Sequence, residues 1–398
     1  MLLEIIFATI LGIFAGIFTG LIPGIHINLI TTLLVSVSNT YLSFFSTTSL
    51  VSFIVSMSTT HSFLDVIPST FLGAPDPENS LFALPAHKML LKGRAYEAIR
   101  LTSIGSLSCL LISVISSPLV FLFIKFIYPF LSKNMFFILV ITCSFLIFRN
   151  KKRLFNLSFF LLSGILGFIA LNSKQVKEPL FPMLTGLFGL SILITSFFDK
   201  VIIPNQTSEY EEISQEEKIR GVVGGTIAGG LTSFLPGLGA SQGAAIATSF
   251  FKSSTKSFMI MIGGINTVNF VLSIIAFLAI EKARNGSIIA ITTLSKVDKN
   301  LAIILISIAL ISGSISCILS LRLTKIFSKF IQKINYQLLI IFIILLIITL
   351  VFIRTRFIGL ILLFSSTALG ILATKKEIGK NNLMGCILLP VIIYFCPF

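Results

Sequence analysis

Two stretches of this sequence interrupt apolar runs with the same dipeptide. Pro23 and Gly24 follow an apolar run in the first half, and Pro236 and Gly237 do so 213 positions later. Proline removes a backbone donor and glycine permits unusual dihedral angles, so each pair predicts a break in a helix. A helix that restarts after such a break presents free N–H groups, which bind anions without a charged side chain.

Polar residues follow both breaks and add donors to the predicted anion site. His26 and Asn28 follow the first break, and Gly239, Ser241 and Gln242 follow the second. We predict that these residues bind substrate together with the two Pro-Gly pairs. A single Pro-Gly pair is more often a kink or a turn, but a matched pair of breaks favours a binding site at discontinuous helices. Because the residues after the two breaks differ, we expect the ligand to bind asymmetrically.

A second set of polar residues lies inside predicted membrane segments. His61 and Asp65 are four residues apart and therefore share one helical face. Ionisable side chains in a membrane are costly, so this pair predicts a proton relay or cation binding, the alternative being an interfacial pair. Asn266 and Asn269 take similar places in the second half and carry no charge. We predict ion coupling at these four residues, with H⁺ or Na⁺ as the ion.

The loop after the third segment contains the remaining candidates for metal binding. Asp76, Glu78 and His87 carry ligand atoms, but Pro75 and Pro77 make the stretch extended and no other ligand is near in sequence. We interpret this loop and the basic run after it as polar surface. The sequence contains no nucleotide-binding loop, nucleophile elbow or zinc motif. We therefore expect no enzyme activity, no bound metal and no cofactor.

Composition places the chain in a membrane. Of its 398 residues, 55% are hydrophobic and 11% are charged, and the mean hydropathy is +1.02. Soluble domains carry about 25% charged residues. The net charge of +15 is typical of a membrane protein with basic cytoplasmic loops. The sequence has no basic stripe with interleaved aromatic residues, so we do not expect nucleic-acid binding. We expect a multi-pass protein of the cell membrane, in contact with lipid.

Apolar segments flank a polar linker on both sides. The linker, 199–220, holds six of the 15 acidic residues and separates a first membrane repeat, 1–198, from a second, 221–398. The segments of the first repeat are Ile5–Ile22, Ile25–Val37, Phe44–Phe71, Leu101–Tyr128, Met135–Phe148, Leu157–Leu171 and Leu180–Phe198. Those of the second are Gly221–Leu235, Leu238–Phe251, Phe258–Ile280, Leu301–Leu321, Leu338–Ile353, Phe357–Leu372 and Leu383–Phe398.

This segment pattern predicts an all-α polytopic fold built from two inverted repeats. An odd number of segments in each half reverses the second half relative to the first. Ile25–Val37 and Leu238–Phe251 are too short to cross about 30 Å of hydrocarbon, so we predict re-entrant or broken helices and roughly 10–14 membrane segments. A cytoplasmic linker puts about two thirds of the Lys and Arg residues on that side.

The order of these motifs resembles one known family. The run from Pro236 to Ala240, Pro-Gly-Leu-Gly-Ala, resembles the signature of the large membrane subunit of tripartite tricarboxylate transporters, the TctA family. Pro23-Gly24 resembles the same signature, and the run from His87 to Ala98 is similar to that family's Lys-Gly-x-Ala-x-x-Ala loop. The chain is shorter than the usual bacterial members and is similar to compact archaeal ones.

The resemblance implies a secondary active transporter, or permease, of a small organic anion. A di- or tricarboxylate is the expected substrate, and a proton or sodium gradient the expected driving force. A small membrane subunit and a periplasmic binding protein are the partners that the resemblance implies, and whether this chain uses them stays open. The alternatives are a carrier or flippase for lipid-linked phosphate, which helix N-termini also accept, a non-transporting membrane scaffold, or a membrane enzyme using His61 and Asp65.

Overall fold

The protein is helical wherever its structure is described. The computed structural model describes residues 2–22, 27–36, 46–72, 80–148, 152–176, 178–198, 204–235, 239–250, 254–283, 285–331 and 336–397, and these ranges contain no strand. Seven helical stretches within them are long and apolar enough to cross a membrane. The prediction of an all-α, multi-pass membrane protein is therefore confirmed.

The helices follow the predicted segments closely. The first half contains α1 (Leu2–Leu21), α2 (Ile27–Ser36), α3 (Thr47–Leu64), α4 (Val66–Leu72), α5 (Ser80–Leu90), α6 (Ala95–Lys133), α7 (Met135–Phe148), α8 (Arg153–Asn172), α9 (Leu180–Leu184) and α10 (Ser191–Phe198), with a π-helical turn, Thr185–Leu190, before α10. The second half contains α11 (Gln215–Phe234), α12 (Ala240–Phe250), α13 (Thr255–Ile280), α14 (Gly286–Leu294), α15 (Lys299–Ile331), α16 (Tyr336–Lys375), a 3₁₀ turn (Lys380–Met384) and α17 (Gly385–Tyr394).

Both predicted breaks interrupt a helix. α1 ends two residues before Pro23, and α11 ends two residues before Pro236. The helices that follow, α2 and α12, have 10 and 11 residues, or about 15 Å at 1.5 Å per residue, which is half of a membrane. α12 folds back against α11, because a Cβ added at Gly243 would lie 2.8 Å from Thr232 Cγ2.

Small residues bring the first and third helices of the first half into close contact. Gly12, Gly16 and Gly20 repeat every four residues along α1 and face α3. A Cβ added at Gly12 would lie 2.6 Å from the carbonyl oxygen of Phe53. One added at Gly16 would lie 2.5 Å from Thr60 Cβ. Such stripes let membrane helices approach closely, since lipid supplies no hydrophobic force between them.

The second half repeats this packing at the same spacing as the Pro-Gly pairs. Gly225 and Gly229 of α11 stand 213 positions after Gly12 and Gly16 and face α13. A Cβ added at Gly225 would lie 2.8 Å from the carbonyl oxygen of Met261. The stripe was not noticed in the sequence, where these glycines are only part of an apolar run.

The first and third helices of each half run in the same direction. At the start of α1, Glu4 accepts a hydrogen bond of 3.0 Å from Ser46, which caps α3. Near the end of α1, a Cβ added at Gly20 would lie 2.9 Å from Leu64 Cβ. α11 and α13 have the same relation along their lengths. In each half, therefore, the chain between the two parallel helices must return to the side of the membrane where the first helix began. The short helix after the break, α2 or α12, belongs to this returning part of the chain.

Contacts between the halves fix the remaining directions. α6 runs parallel to α13, since Glu97 pairs with Lys256 near the start of both helices and Gly105 meets the backbone of Ile260 further along. α3 runs parallel to α15, since Ser316 donates to Thr60 at 2.9 Å and Phe71 meets Phe327 at 6.0 Å between ring centroids.

The long helices thus divide by direction. Tyr96 lies beside Lys325, and Ser103 lies 2.8 Å from Ser320 in a hydroxyl pair, so α6 and α15 are antiparallel. It follows that α1, α3 and α15 run one way and that α6, α11 and α13 run the other. The inverted repeat itself stays a prediction.

Two predicted loops contain helices. The stretch interpreted as polar surface forms α5, in which Ala86, Met89 and Leu90 are buried in the largest core cluster. His87 is also buried, and burial lowers the pKa of its imidazole below the usual value. The interpretation as surface was wrong, because the apolar side of this run is covered by α4 and α6. The other predicted loop, between the segments Phe258–Ile280 and Leu301–Leu321, contains α14.

Three residues, 354–356, separate two predicted segments that backbone hydrogen bonding joins in one long helix, α16. Arg356 has φ 57° and ψ −158°, which no α-helix contains, and it stands between the predicted segments Leu338–Ile353 and Phe357–Leu372. Its neighbour Arg354 pairs with Glu178 at 2.6 Å. The break between the segments was therefore placed correctly by hydropathy and charge.

The linker packs against the start of α6. Gln206 accepts a hydrogen bond of 3.2 Å from the Ala95 N–H and donates one of 2.9 Å to the Leu90 carbonyl. The Thr207 N–H donates to the carbonyl of Gly93, which adopts φ 77° where glycine is favoured. These bonds cap α6 and tie the linker to the first half.

Four charged residues extend this contact to the second half. Arg94 pairs with Glu97 at 2.6 Å and with Glu211 of the linker at 3.0 Å. Lys256 of α13 pairs with Glu211 at 2.7 Å and with Glu97 at 3.5 Å. The Glu97 side chain is fully buried, whereas that of Glu211 is 65% exposed. Hydrogen bonds from Lys256 and then Arg94 lower the pKa of the Glu211 carboxyl.

The glycine packing predicts a difference between two substitutions on α11. Gly225→Ala lowers the melting temperature in detergent, because the added Cβ would overlap Met261. Gly230→Ala leaves it unchanged or raises it, because the nearest atom to that Cβ is 3.6 Å away and alanine favours a helix by about 1 kcal/mol. Equal effects of the two changes would contradict the proposed close contact.

The charged cluster predicts unequal effects of two isosteric changes. Glu97→Gln destabilises the protein by about 3 kcal/mol, as expected when a buried ion pair loses one partner. Glu211→Gln has a smaller effect, because its partners are screened by water.

The folded-state pKa of Glu211 is lowered, so the stabilisation that its carboxylate contributes is complete above the pKa of the unfolded chain and is lost as the pH falls through the folded-state pKa. Melting curves across pH should show Glu211→Gln and the parent converging in acid.

Candidate functional site

The predicted substrate residues surround the two breaks. Pro23, Gly24, His26, Pro236 and Gly237 lie outside the described residues. Asn28 belongs to the first turn of α2, and Ser241 and Gln242 to the first turn of α12; their backbone alone is described. Gly239 stands just before α12, where its carbonyl accepts the first helical bond, from Gly243 at 3.0 Å. The substrate role of these nine residues stays a prediction.

The chain just before the first break is held by a polar contact within the membrane span. Thr19 lies four residues before Pro23 and its hydroxyl donates to the Gly16 carbonyl at 3.3 Å. The same oxygen lies 3.2 Å from His61 Nδ1 of α3. With the hydroxyl hydrogen directed at Gly16, the tautomer protonated at Nδ1 donates to this oxygen.

The second break is held in the same manner. Thr232 lies four residues before Pro236, and its hydroxyl donates to the Gly229 carbonyl at 3.0 Å. Its oxygen accepts a hydrogen bond of 3.0 Å from Asn269 Nδ2 of α13. The donor to the threonine is an amide here and an imidazole in the first half.

These two contacts correspond residue by residue. Thr19 and Thr232 are 213 positions apart, as are the two breaks. His61 stands fourteen residues after the start of α3 and Asn269 fourteen residues after the start of α13. Both donors therefore lie near the middle of a membrane-crossing helix. This level of the protein is where an anion would be screened least by water.

The two halves differ in charge at this level. Asp65 follows His61 by one turn, joins α3 to α4 and is 8% exposed, and its N–H donates to the His61 carbonyl at 2.9 Å. Asn266 is half-buried one turn before Asn269. The first half thus carries two ionisable groups beside its break, and the second half carries two neutral amides. That a ligand binds asymmetrically stays a prediction.

Metal binding finds no support among the described residues. No group of three or more His, Cys, Asp and Glu side chains that could hold a metal ion lies within the ranges given above. His87 Nδ1 lies 3.2 Å from the Thr70 carbonyl in the core. Asp76 and Glu78 lie outside those ranges.

Sequence reasoning missed the two threonines and Asn285. Asn285 caps α14 and donates through Nδ2 to Asn269 Oδ1 at 3.2 Å. Threonine is common in membrane helices, so neither Thr19 nor Thr232 stands out by composition. The sequence did contain a signal for the threonines, because Thr19 and Thr232 are separated by the same 213 residues as the two Pro-Gly pairs.

Comparison with known proteins identifies relatives along the whole chain. The model of the family described as "Tripartite tricarboxylate transporter TctA family" matches residues 6–385. An uncharacterized protein of Methanocaldococcus jannaschii is 32% identical over 396 residues, which cover 97% of this chain and 98% of that protein. No solved structure matches the chain significantly. The resemblance read from the Pro-Gly motifs is therefore confirmed.

Proposed function

The chain belongs to the tripartite tricarboxylate transporter TctA family, and on that premise we propose that it is a secondary active transporter of a small organic anion. A di- or tricarboxylate is the proposed substrate. The observation that carries the proposal is the pair of helix breaks, each preceded by a threonine that contacts a polar side chain of the neighbouring helix.

The breaks suit an anion because they supply donors without a buried counter-charge. α2 and α12 begin within a few residues of Pro-Gly, and the first N–H groups of a helix have no partner within it. Their dipoles favour negative charge, by about 0.3–1 kcal/mol at an exposed helix end and more in a buried one. Two such ends would contact two carboxylate groups, and Asn28, Ser241 and Gln242 would add side-chain donors.

Ion coupling is proposed for the first half. His61 is titratable and lies against the chain that precedes the break, whereas Asn269 at the matching place is neutral. Around His61, α1 contributes the neutral Thr19, α15 contributes neutral hydroxyls such as Ser316, and Asp65 is the charged group one turn away. Protonation of His61 or Asp65 would therefore change the charge beside one break only. Na⁺ bound by Asp65 is the alternative coupling ion.

Transport by two inverted repeats is the proposed architecture. The parallel pairs α1 with α3 and α11 with α13, which run in opposite directions, support it, as does the common offset of the glycine stripes and threonines. In such transporters the site lies at the repeat interface near the midplane. The family description names a tripartite system, so we also propose a small membrane subunit and a periplasmic binding protein as partners.

Uptake by the reconstituted protein tests the substrate and the site together. Proteoliposomes loaded with one di- or tricarboxylate should exchange it for labelled external substrate. Gly24→Leu and Gly237→Leu should each reduce exchange at least tenfold, because a branched side chain would occupy the space beside the free N–H groups. Gly230→Leu, whose added Cβ would meet only the flexible end of Leu272 at 3.6 Å, is the matched control for expression and insertion. Full exchange in both break variants would overturn the site, and absence of exchange with every carboxylate would overturn the function.

A single substitution tests the coupling ion. Asparagine places Nδ2 where histidine has Nδ1, so His61→Asn keeps the bond to Thr19 and makes the first half resemble the second. We expect this variant to retain exchange and to lose accumulation driven by a proton gradient. Accumulation equal to the parent would exclude His61 from coupling, and Asp65→Asn with a sodium gradient would then be the next comparison.

A further inference from the structure

A series of hydrogen bonds joins Thr232, just before the second break, to α3 of the first half, and at Ser287 it passes from the hydroxyl to the backbone N–H of the same residue. Ser58 of α3 bonds to the Ser287 hydroxyl at 3.0 Å, and the Ser287 N–H donates to Asn285 Oδ1 at 2.9 Å. Asn285 Nδ2 donates to Asn269 Oδ1 at 3.2 Å, and Asn269 Nδ2 donates to Thr232 at 3.0 Å. The chain therefore crosses from α3 through α14 and α13 to α11.

The backbone N–H of Ser287 fixes the donor-to-acceptor direction of most of these hydrogen bonds. An N–H can only donate, so the side-chain oxygen of Asn285 must face Ser287 and its nitrogen must face Asn269. Asn269 then accepts through its oxygen and donates to Thr232, whose own hydrogen goes to the Gly229 carbonyl. Every donor points from α3 towards α11. Aligned hydrogen bonds polarise one another, which strengthens them in a medium of low dielectric constant.

Both ends of the chain lie at residues that the transport site depends on. Thr232 is four residues before Pro236, and Ser58 is one turn before His61 on α3. Ser58, Ser287 and Thr232 are each at most 2% exposed, so water has little access to these three residues, whereas Asn285 and Asn269 between them are half-buried. Removing one hydroxyl therefore leaves a buried neighbour unsatisfied, which costs more than the bond itself contributes. The two ends are thus energetically connected.

We propose that Ser58, Ser287, Asn285, Asn269 and Thr232 are positioning residues that hold the last turn of α11, which precedes the second break, at a fixed place relative to α3. Substrate affinity at the second break then depends on the helix that carries His61. This inference rests on the proposed transport function and deepens it. In the first half the contact of Thr19 with His61 joins helices of the same half, whereas in the second half these residues join the end of α11 to a helix of the other half.

A double-mutant cycle between the two ends of the chain tests the proposal. Thr232→Val and Ser58→Ala are each expected to raise the KM for carboxylate exchange about fivefold, the effect of one hydrogen bond, with the maximal rate within about twofold of the parent. The double variant should resemble either single variant, because the second change removes a contact already lost. Thr232→Ser keeps the acceptor and should restore the parental KM.

A neighbouring serine provides the matched control. Ser62 lies one turn after Ser58 on α3, and its hydroxyl donates to the Ser58 carbonyl within the same helix at 3.0 Å. Ser62→Ala should leave the KM unchanged and should combine with Thr232→Val without interaction. A KM about 25-fold above the parent for Thr232→Val with Ser58→Ala, the product of the two single effects, would overturn the proposal.

A second readout separates this inference from the proposed function. The same cycle can be measured as melting temperatures of the purified protein in detergent, which require no substrate. If no carboxylate is exchanged, the proposed function fails, and the thermal cycle still decides whether the chain connects its ends. Non-additive losses of melting temperature would support the connection, and additive losses would overturn it.

Discussion

The structure depends on satisfying polar backbone and side-chain groups within a membrane protein. A helix that ends at a break leaves carbonyl and N–H groups that lipid does not hydrogen-bond. Thr19 and Thr232 each donate to a carbonyl one turn back and accept from the neighbouring helix, so the last turn before each break is held from two sides. The glycine stripes make this possible, because they let α3 and α13 approach closely enough for His61 and Asn269 to reach the threonines.

The same constraint explains why the two halves are alike in packing and different in chemistry. The glycines, the threonines and the Pro-Gly pairs share one offset, since each is required by backbone geometry. The donor to the threonine has only to present an N–H group, and both an imidazole and an amide do so. That freedom allows one half to carry an ionisable group and the other a neutral one without disturbing the fold.

The local features of the fold were readable from the sequence. Hydropathy placed the membrane segments, charge placed the break at Arg356, and Pro-Gly placed both helix interruptions, because each depends on a few adjacent residues. α5 and α14 were missed because their stability comes from neighbouring helices rather than from a long apolar run. The threonines of the site and the docking of Gln206 depend on contacts between distant residues, which composition does not encode.

Close packing also limits how the protein could alternate its access. Gly105 and Gly263 bring α6 of the first half and α13 of the second into backbone contact, and the charged cluster around Glu97 joins the starts of both helices. The two halves of the sequence are therefore interlocked and would not move apart as units. A different grouping follows the packing, in which α7 to α10 with α16 and α17 share core clusters that also include Phe234, Leu235 and Ala276 from the end of α11 and from α13. Movement of this group against α11 and α13 would repack Phe234 and Leu235 just before the second break, and it would keep the glycine contacts between α6 and α13 and the hydrogen bonds from Ser58 to Thr232.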